Sequence, residues 1–334
     1  MLASEQTISE LALPALDGAK LTLPALDLRA VARRLAIPAA LAGGAVVAVV
    51  LAGGKVHAFA DAVGRVLGVN PGWAILGIAF ECVSLIGYAA LLSLVAGNAT
   101  DRIGARESAQ ITLAGAAATR LLPTAGAGGA ALTLWSLRRA GLSSRVATRT
   151  LLAFLVVLYS VFLIAIVLAG TALAAGLARS SEPLALGAVP AGLALLAIAI
   201  APRLLGAAVA DACQLVRSAN PRLIGAIVYW GFDAAVLWAT LHAFGTPTAL
   251  PVIALAYFVG QVANTLPIPG AVSGGIAGVL IAFGVPAGLA LPSVLAYRAI
   301  AVWLPTPAAL AAVPGLRNTV CRWAREDAAN DAVA

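Results

Sequence analysis

Residues 151–176, LLAFLVVLYSVFLIAIVLAGTALAAG, run for 26 positions without a charged side chain. A helix needs roughly 20 apolar residues to cross the hydrocarbon layer, and it satisfies its backbone N–H and C=O groups within its own segment. The run therefore predicts a membrane-spanning helix. Residues 35–54, 72–96, 184–201, 223–243 and 288–311 read the same way. Composition agrees, because a chain of 334 residues that is 62% hydrophobic and 10% charged is more apolar than a water-soluble core requires. Its mean hydropathy is +1.00. No polar block between residues 35 and 313 is large enough to fold separately. The expected organisation is a segment 1–34, one transmembrane domain 35–313 and a cytoplasmic tail 314–334. The expected fold class is an all-α polytopic membrane protein.

Two apolar regions break the single-span template. Residues 107–139 and 250–284 are each too long for one crossing, and each is interrupted by Pro and Gly. Both are expected to be re-entrant, broken-helix hairpins, which brings the architecture to about six full spans plus two hairpins.

The distribution of positive charge tests that assignment, since cytoplasmic loops are enriched in Lys and Arg. With a cytoplasmic N-terminus and both hairpins returning to the side they entered, sixteen of the 21 Lys and Arg are cytoplasmic. Only Lys55, Arg65 and Arg179 lie outside, and Arg120 and Arg298 fall within the membrane. If residues 107–139 crossed once instead, seven cations would lie inside and nine outside before the second broken region. The hairpin topology therefore explains the net charge of +7 and places both termini in the cytoplasm. The first 34 residues hold no long apolar run and do not resemble a signal peptide. Their duplicated LPALD, followed by Arg29, Arg33 and Arg34, suits a segment lying on anionic lipid or one free in the cytoplasm.

The two broken regions also resemble each other. ATRLLPTAGAGG at 118–129 aligns with NTLPIPGAVSGG at 264–275, so that Pro123, Gly128 and Gly129 match Pro269, Gly274 and Gly275 at a constant offset of 146. Each is followed by an apolar half-helix ending near a glycine, Gly141 or Gly284. Three full spans separate them, so the second hairpin enters from the opposite face and the pair forms an inverted repeat, a recurring transporter plan. At each break, proline ends one half-helix and the next begins with N–H groups lacking an intrahelical acceptor, which attract anions. A bland reading also stands, in which Pro and Gly only permit close helix packing.

On this reading the substrate-binding candidates are Arg120, Pro123, Gly126, Gly128 and Gly129 at the first break. At the second they are Asn264, Pro269, Gly270 and Gly274, with Arg298 in the last span. Glu81 and Asp233 sit near the centres of their spans as charge partners or coupling groups. Ionisable residues at that depth are expensive and should face the bundle interior. They form two buried ion pairs, or receive an anionic headgroup with the acids as counter-ions or proton carriers. Cys82, Cys213 and Cys321 suggest neither a disulfide framework nor a metal knuckle. His57 and His242 are isolated, no HExxH, CxxC or Walker A motif occurs, and nothing points to nucleic acid. No enzyme chemistry, cofactor or metal is expected.

RLLPTAGAGGAALTLWSLRRAGLSSRVATRTLLAF at 120–154 and NTLPIPGAVSGGIAGVLIAFGVPAGLALPSVLAYRAIAVWLP at 264–305 together resemble the lysylphosphatidylglycerol synthase transmembrane, or flippase-like, family. The resemblance covers about residues 40–313, and its more specific part is Pro267, Pro269-Gly270, Gly284, Tyr297-Arg298 and Leu304-Pro305. It implies a stand-alone lipid translocase of the bacterial plasma membrane without the family's soluble synthase domain. The implied partners are membrane lipids with an anionic headgroup, and a second copy of the chain or a membrane enzyme are further partners. Family members commonly carry Glu shortly after the second break, where this chain has Ile276. That departure leaves two other functions open: secondary transport of a small solute, and a non-transporting scaffold for a lipid-modifying or envelope enzyme.

Overall fold

The computed structural model describes residues 71–121, 127–176, 185–246, 248–265 and 270–331. The described residues all fall within Ala48–Ala334; residues 1–70, with the expected segment 1–34 and the whole of the expected span 35–54, lie outside them.

Every described element is helical. In chain order they are α1 (Pro71–Gly97), α2 (Ala105–Leu121), α3 (Ala127–Arg139), α4 (Ser144–Ala174), α5 (Ala185–Leu204) and α6 (Gly206–Arg217). There follow α7 (Ile224–Phe244), α8 (Leu250–Val262), α9 (Ala271–Ala282), α10 (Ala287–Arg298) and α11 (Thr306–Asp331). A π-turn, Ala299–Trp303, joins α10 to α11 just before Pro305, whose ring nitrogen has no proton to donate.

Five helical runs are long and apolar enough to cross a membrane: Pro71–Gly97, Ser144–Ala174, Gly187–Leu204, Pro221–Phe244 and Ala287–Asn330. They overlie the spans expected at 72–96, 151–176, 184–201, 223–243 and 288–311. Helix α4 starts seven residues before its apolar run, because Ser143 caps it by accepting from the Val146 N–H (3.4 Å). At 31 residues it extends about 46 Å, longer than a ~30 Å hydrocarbon layer, so its Arg145 and Arg149 end can project beyond the lipid.

Helices α1 and α7 form the central pair and run antiparallel. Trp73 meets Trp238, Phe80 meets Phe232 and Tyr88 meets Tyr229, so contacts ascend along one helix as they descend the other. Gly87 and Gly225 bring the backbones together: a Cβ at Gly87 would lie 2.8 Å from the Gly225 carbonyl oxygen. Where lipid removes the hydrophobic drive, such close packing is a main source of helix association. Ser84 Oγ also donates to the Tyr229 carbonyl at 2.9 Å. An aromatic knot of Trp230, Phe162, Phe258 and Tyr257 then joins α7 to α4 and α8. Within it, Trp230 Nε1 donates to the Leu158 carbonyl at 2.9 Å.

Each region expected to break is a helix pair folded back on itself. In the first, α2 packs on α3 with Gly115 against Gly129; in the second, α8 packs on α9 with Gly260 against Gly275. The second helix of each pair ends in the same way. Gly141 (φ +94) and Gly284 (φ +77) adopt left-handed backbone, while Leu142 N–H donates to the Leu137 carbonyl and Val285 N–H to that of Leu280. Both are Schellman endings, for which glycine carries no Cβ penalty. The order long helix, broken pair, long helical run thus occurs twice, as α1 to α4 and as α7 to the run Ala287–Asn330 that α10 begins.

The expected tail after residue 313 is helical as far as Asp331. Residues 306–331 form α11, which lies along α2 and buries Leu316, Val320 and Trp323. These apolar positions at i, i+4 and i+7 make one helical stripe, which average hydropathy does not register. Thr319 Oγ1 donates to Gln110 Oε1 (2.9 Å), and ion pairs Arg102–Asp327 and Arg322–Glu107 flank it.

Candidate functional site

Asp233 lies midway along α7 and Glu81 along α1; they are 8% and 5% exposed. Two carboxyl groups this buried in a lipid-facing bundle require polar company. Asp233 finds it on α8 and α10. Tyr257 Oη donates to Asp233 Oδ2 at 2.5 Å, and Tyr297 Oη approaches the same oxygen at 3.5 Å. Tyr297 Oη in turn accepts from Gln261 Nε2 at 2.9 Å. Tyr257 and Gln261 are one turn apart on α8 and so share a face. Three helices are therefore tied at one buried carboxylate, with Glu81 within electrostatic reach of Tyr297 and Tyr229.

This corrects the expected ion pairing for one arginine. Arg298 is half-buried and forms no ion pair with a described carboxylate. Neighbours on a helix project about 100° apart, so turning Tyr297 into the α7–α8 seam turns Arg298 away from Asp233. Arg298 is the last residue of α10 and sits at the π-turn. Arg120 lies in the last turn of α2, and its side chain falls outside the described residues.

Pro123, Gly126 and Pro269 likewise lie outside them, and with them the expected convergence of the two tips. The described arms sit on different partners: α2 packs on α1, α3 and α11, whereas α8 packs on α4, α7 and α9. At the start of α3, Gly129 N–H is already engaged. It donates to Thr119 Oγ1 at 2.9 Å, and that hydroxyl donates to the Gly115 carbonyl at 3.0 Å. Neighbouring Gly128 is buried. One of the amides expected to receive an anion thus serves hairpin closure. At the second break Gly270 (φ +82) caps α9, and Gly274 N–H makes an ordinary helical bond to the Gly270 carbonyl (2.8 Å). Asn264, Gly270 and Gly274 are exposed, so these three border open space.

Ile276, where the resembled family carries Glu, is fully buried against Gly260. The side chain fills the α8–α9 seam, and a carboxylate placed there would be packed in apolar surroundings. No family model and no curated protein matches this chain.

Hydropathy and charge counting reached Asp233 and Glu81 but passed over Tyr257, Tyr297 and Gln261. Gln261 and Tyr257 at i, i+4 on an otherwise apolar helix were the available signal, and a short polar stripe of that kind marks a face turned away from lipid.

Proposed function

We propose that this chain is a membrane translocase that moves a phospholipid or lipid-linked molecule with an anionic headgroup between leaflets. The observation that carries the reading is the doubled order of long helix, glycine-closed broken pair and long helix, arranged about the antiparallel α1–α7 pair. In an inverted repeat α1 and α7 are equivalent elements, and opposite insertion requires them to run antiparallel. Arg298 supports an anionic headgroup, being a half-buried cation with no described carboxylate on it, placed at a widened helical turn. The exposed second break, with Asn264, Gly270 and Gly274, is where the headgroup would pass. Both hairpins dip into the bilayer from opposite faces and both termini are cytoplasmic.

Purified protein in liposomes, assayed by dithionite quenching of fluorescent lipids, tests the proposal. Wild type equilibrates an anionic lipid across the leaflets, and Arg298→Gln slows this about tenfold, the loss of one charge-assisted contact, with folded yield retained. A protein that flips no lipid but takes up a small anion would move the reading to solute transport. Activity in neither assay, with Arg298→Gln indistinguishable from wild type, would move it to an enzyme scaffold.

A further inference from the structure

We propose that Asp233 is a proton-binding site, and that its protonation state sets how tightly α10 is tied to α7 and α8. The basis is geometric. One oxygen, Oδ2, meets hydroxyls from two other helices, Tyr257 on α8 at 2.5 Å and Tyr297 on α10 at 3.5 Å. A hydroxyl whose proton points at a carboxylate makes a charge-assisted bond, about twice as strong as a neutral one. Tyr297 Oη holds its acceptor side toward Gln261 Nε2, which aims its own proton at Asp233.

When the carboxylate takes up a proton on Oδ2, that oxygen becomes a donor. The proton is transferred from hydronium, whose O–H bond breaks as the carboxyl O–H forms, leaving water. The short bond to Tyr257 then reverses, with Tyr257 Oη accepting. The longer bond from Tyr297 loses the negative charge that held it. One proton thus weakens the tie from α10 while keeping the one to α8. Helix α10 is built to use that freedom: it contains Pro292 and ends in the π-turn Ala299–Trp303, where the backbone ladder is already interrupted.

Among the described residues, Asp233 is faced by Tyr257 from α8 and Tyr297 from α10, with Tyr229 beside it on α7; Glu81 on α1 and Arg298 on α10 act on Tyr297, and Tyr88 on α1 and Tyr159 on α4 act on Tyr229. Among them only the two carboxylates are of a type that ordinarily titrates on the acid side of neutrality. Glu81 is the competing site, and its Gln variant is therefore the control.

The full chain in lipid nanodiscs, titrated with acid and followed by infrared difference spectroscopy, tests this without any transported substrate. A failed flip assay therefore leaves the result intact, and the converse holds. On acidification wild type gains a protonated-carboxyl C=O component, beyond the signal of its exposed acids, which is missing from Asp233→Asn and retained in Glu81→Gln. Tyr257→Phe, which removes a hydroxyl and keeps the ring, moves the midpoint of that band. Amide exchange over residues 287–303, corrected for its intrinsic pH dependence, rises several-fold on acidification in wild type and is equally fast at both pH values in Asp233→Asn. A carboxyl signal in Asp233→Asn identical to that of wild type, a midpoint unmoved in Tyr257→Phe, or pH-independent exchange in wild-type α10 would overturn the proposal.

Discussion

The two broken helix pairs share a backbone plan and differ in nearly everything laid upon it. Both close glycine on glycine, at Gly115–Gly129 and Gly260–Gly275, and both end in a left-handed glycine. The first is stitched by hydroxyls, with Thr119 bridging Gly129 and Gly115 and Thr133 Oγ1 donating to the Gly129 carbonyl, and it is clasped from outside by α11. The second is closed by the Ile276 side chain, seated in the bundle centre, and carries the tyrosine and glutamine that reach the Asp233 cluster. The shared backbone is closed by glycines in both pairs, while the side chains set the first against α11 and bring Tyr257 and Gln261 of the second to the Asp233 cluster. The pair that reaches the Asp233 cluster is the one packed against α4 and α7, because Asp233 lies on α7 and Tyr257 and Gln261 share one face of α8.

The sharpest expected difference between the two pairs lies in how each is closed. A Cβ at Gly260 would overlap Ile276, standing 2.6 Å from its backbone nitrogen, and backbone cannot rotate away. Gly260→Ala should cost about 3 kcal/mol or more and be seen as lost monodisperse protein on size exclusion in detergent. At Gly129 the nearest atom is Thr119 Oγ1, 2.7 Å from the built Cβ, at the end of a side chain that can turn aside. Gly129→Ala should therefore cost only about 1–2 kcal/mol, roughly the closing hydrogen bond. Equal losses would show that the two pairs are closed by the same means.

Next comes the polar tie inside the second pair. Tyr257→Phe removes the 2.5 Å donor to a buried carboxylate and should destabilise by about 1.5–3 kcal/mol, measured as a lower midpoint in thermal unfolding by tryptophan fluorescence. Thr119→Val, which removes the hydroxyl between Gly129 and Gly115, should cost about 1 kcal/mol in the same assay. A larger loss from Thr119→Val would reverse the assignment of the buried chemistry to the second pair.

The smallest effect belongs to the exposed charges on the outer clasp of the first pair. Arg322→Gln removes the exposed contact to Glu107 and should change stability by under about 1 kcal/mol, and by less still in high salt, since exposed pairs are screened. Trp323→Ala, which empties a buried site on the same helix, should cost about 3–5 kcal/mol. That contrast would show that α11 is held by its apolar stripe rather than by its charges.

What the sequence by itself determined is the part governed by local rules. Uninterrupted apolar length specifies five of the spans, Pro and Gly mark where 107–139 and 250–284 fold back, and Gly141 and Gly284 end the half-helices because only they accept left-handed backbone cheaply. Tertiary structure decided the partners. Asp233 could have met Arg298 or a tyrosine, and the rotation of α10 chose Tyr297 for the seam and set Arg298 aside. Residues 314–331 read as a tail until α2 offered a surface for Leu316, Val320 and Trp323. Gly129 N–H, written in the sequence as an open helix start, was taken by Thr119 once α2 and α3 lay side by side. The physical reason is common to all three. Hydropathy and backbone preference act over a few residues and carry no information on azimuth, whereas a hydrogen bond between residues 24 or 64 positions apart depends on how two helices are turned toward each other.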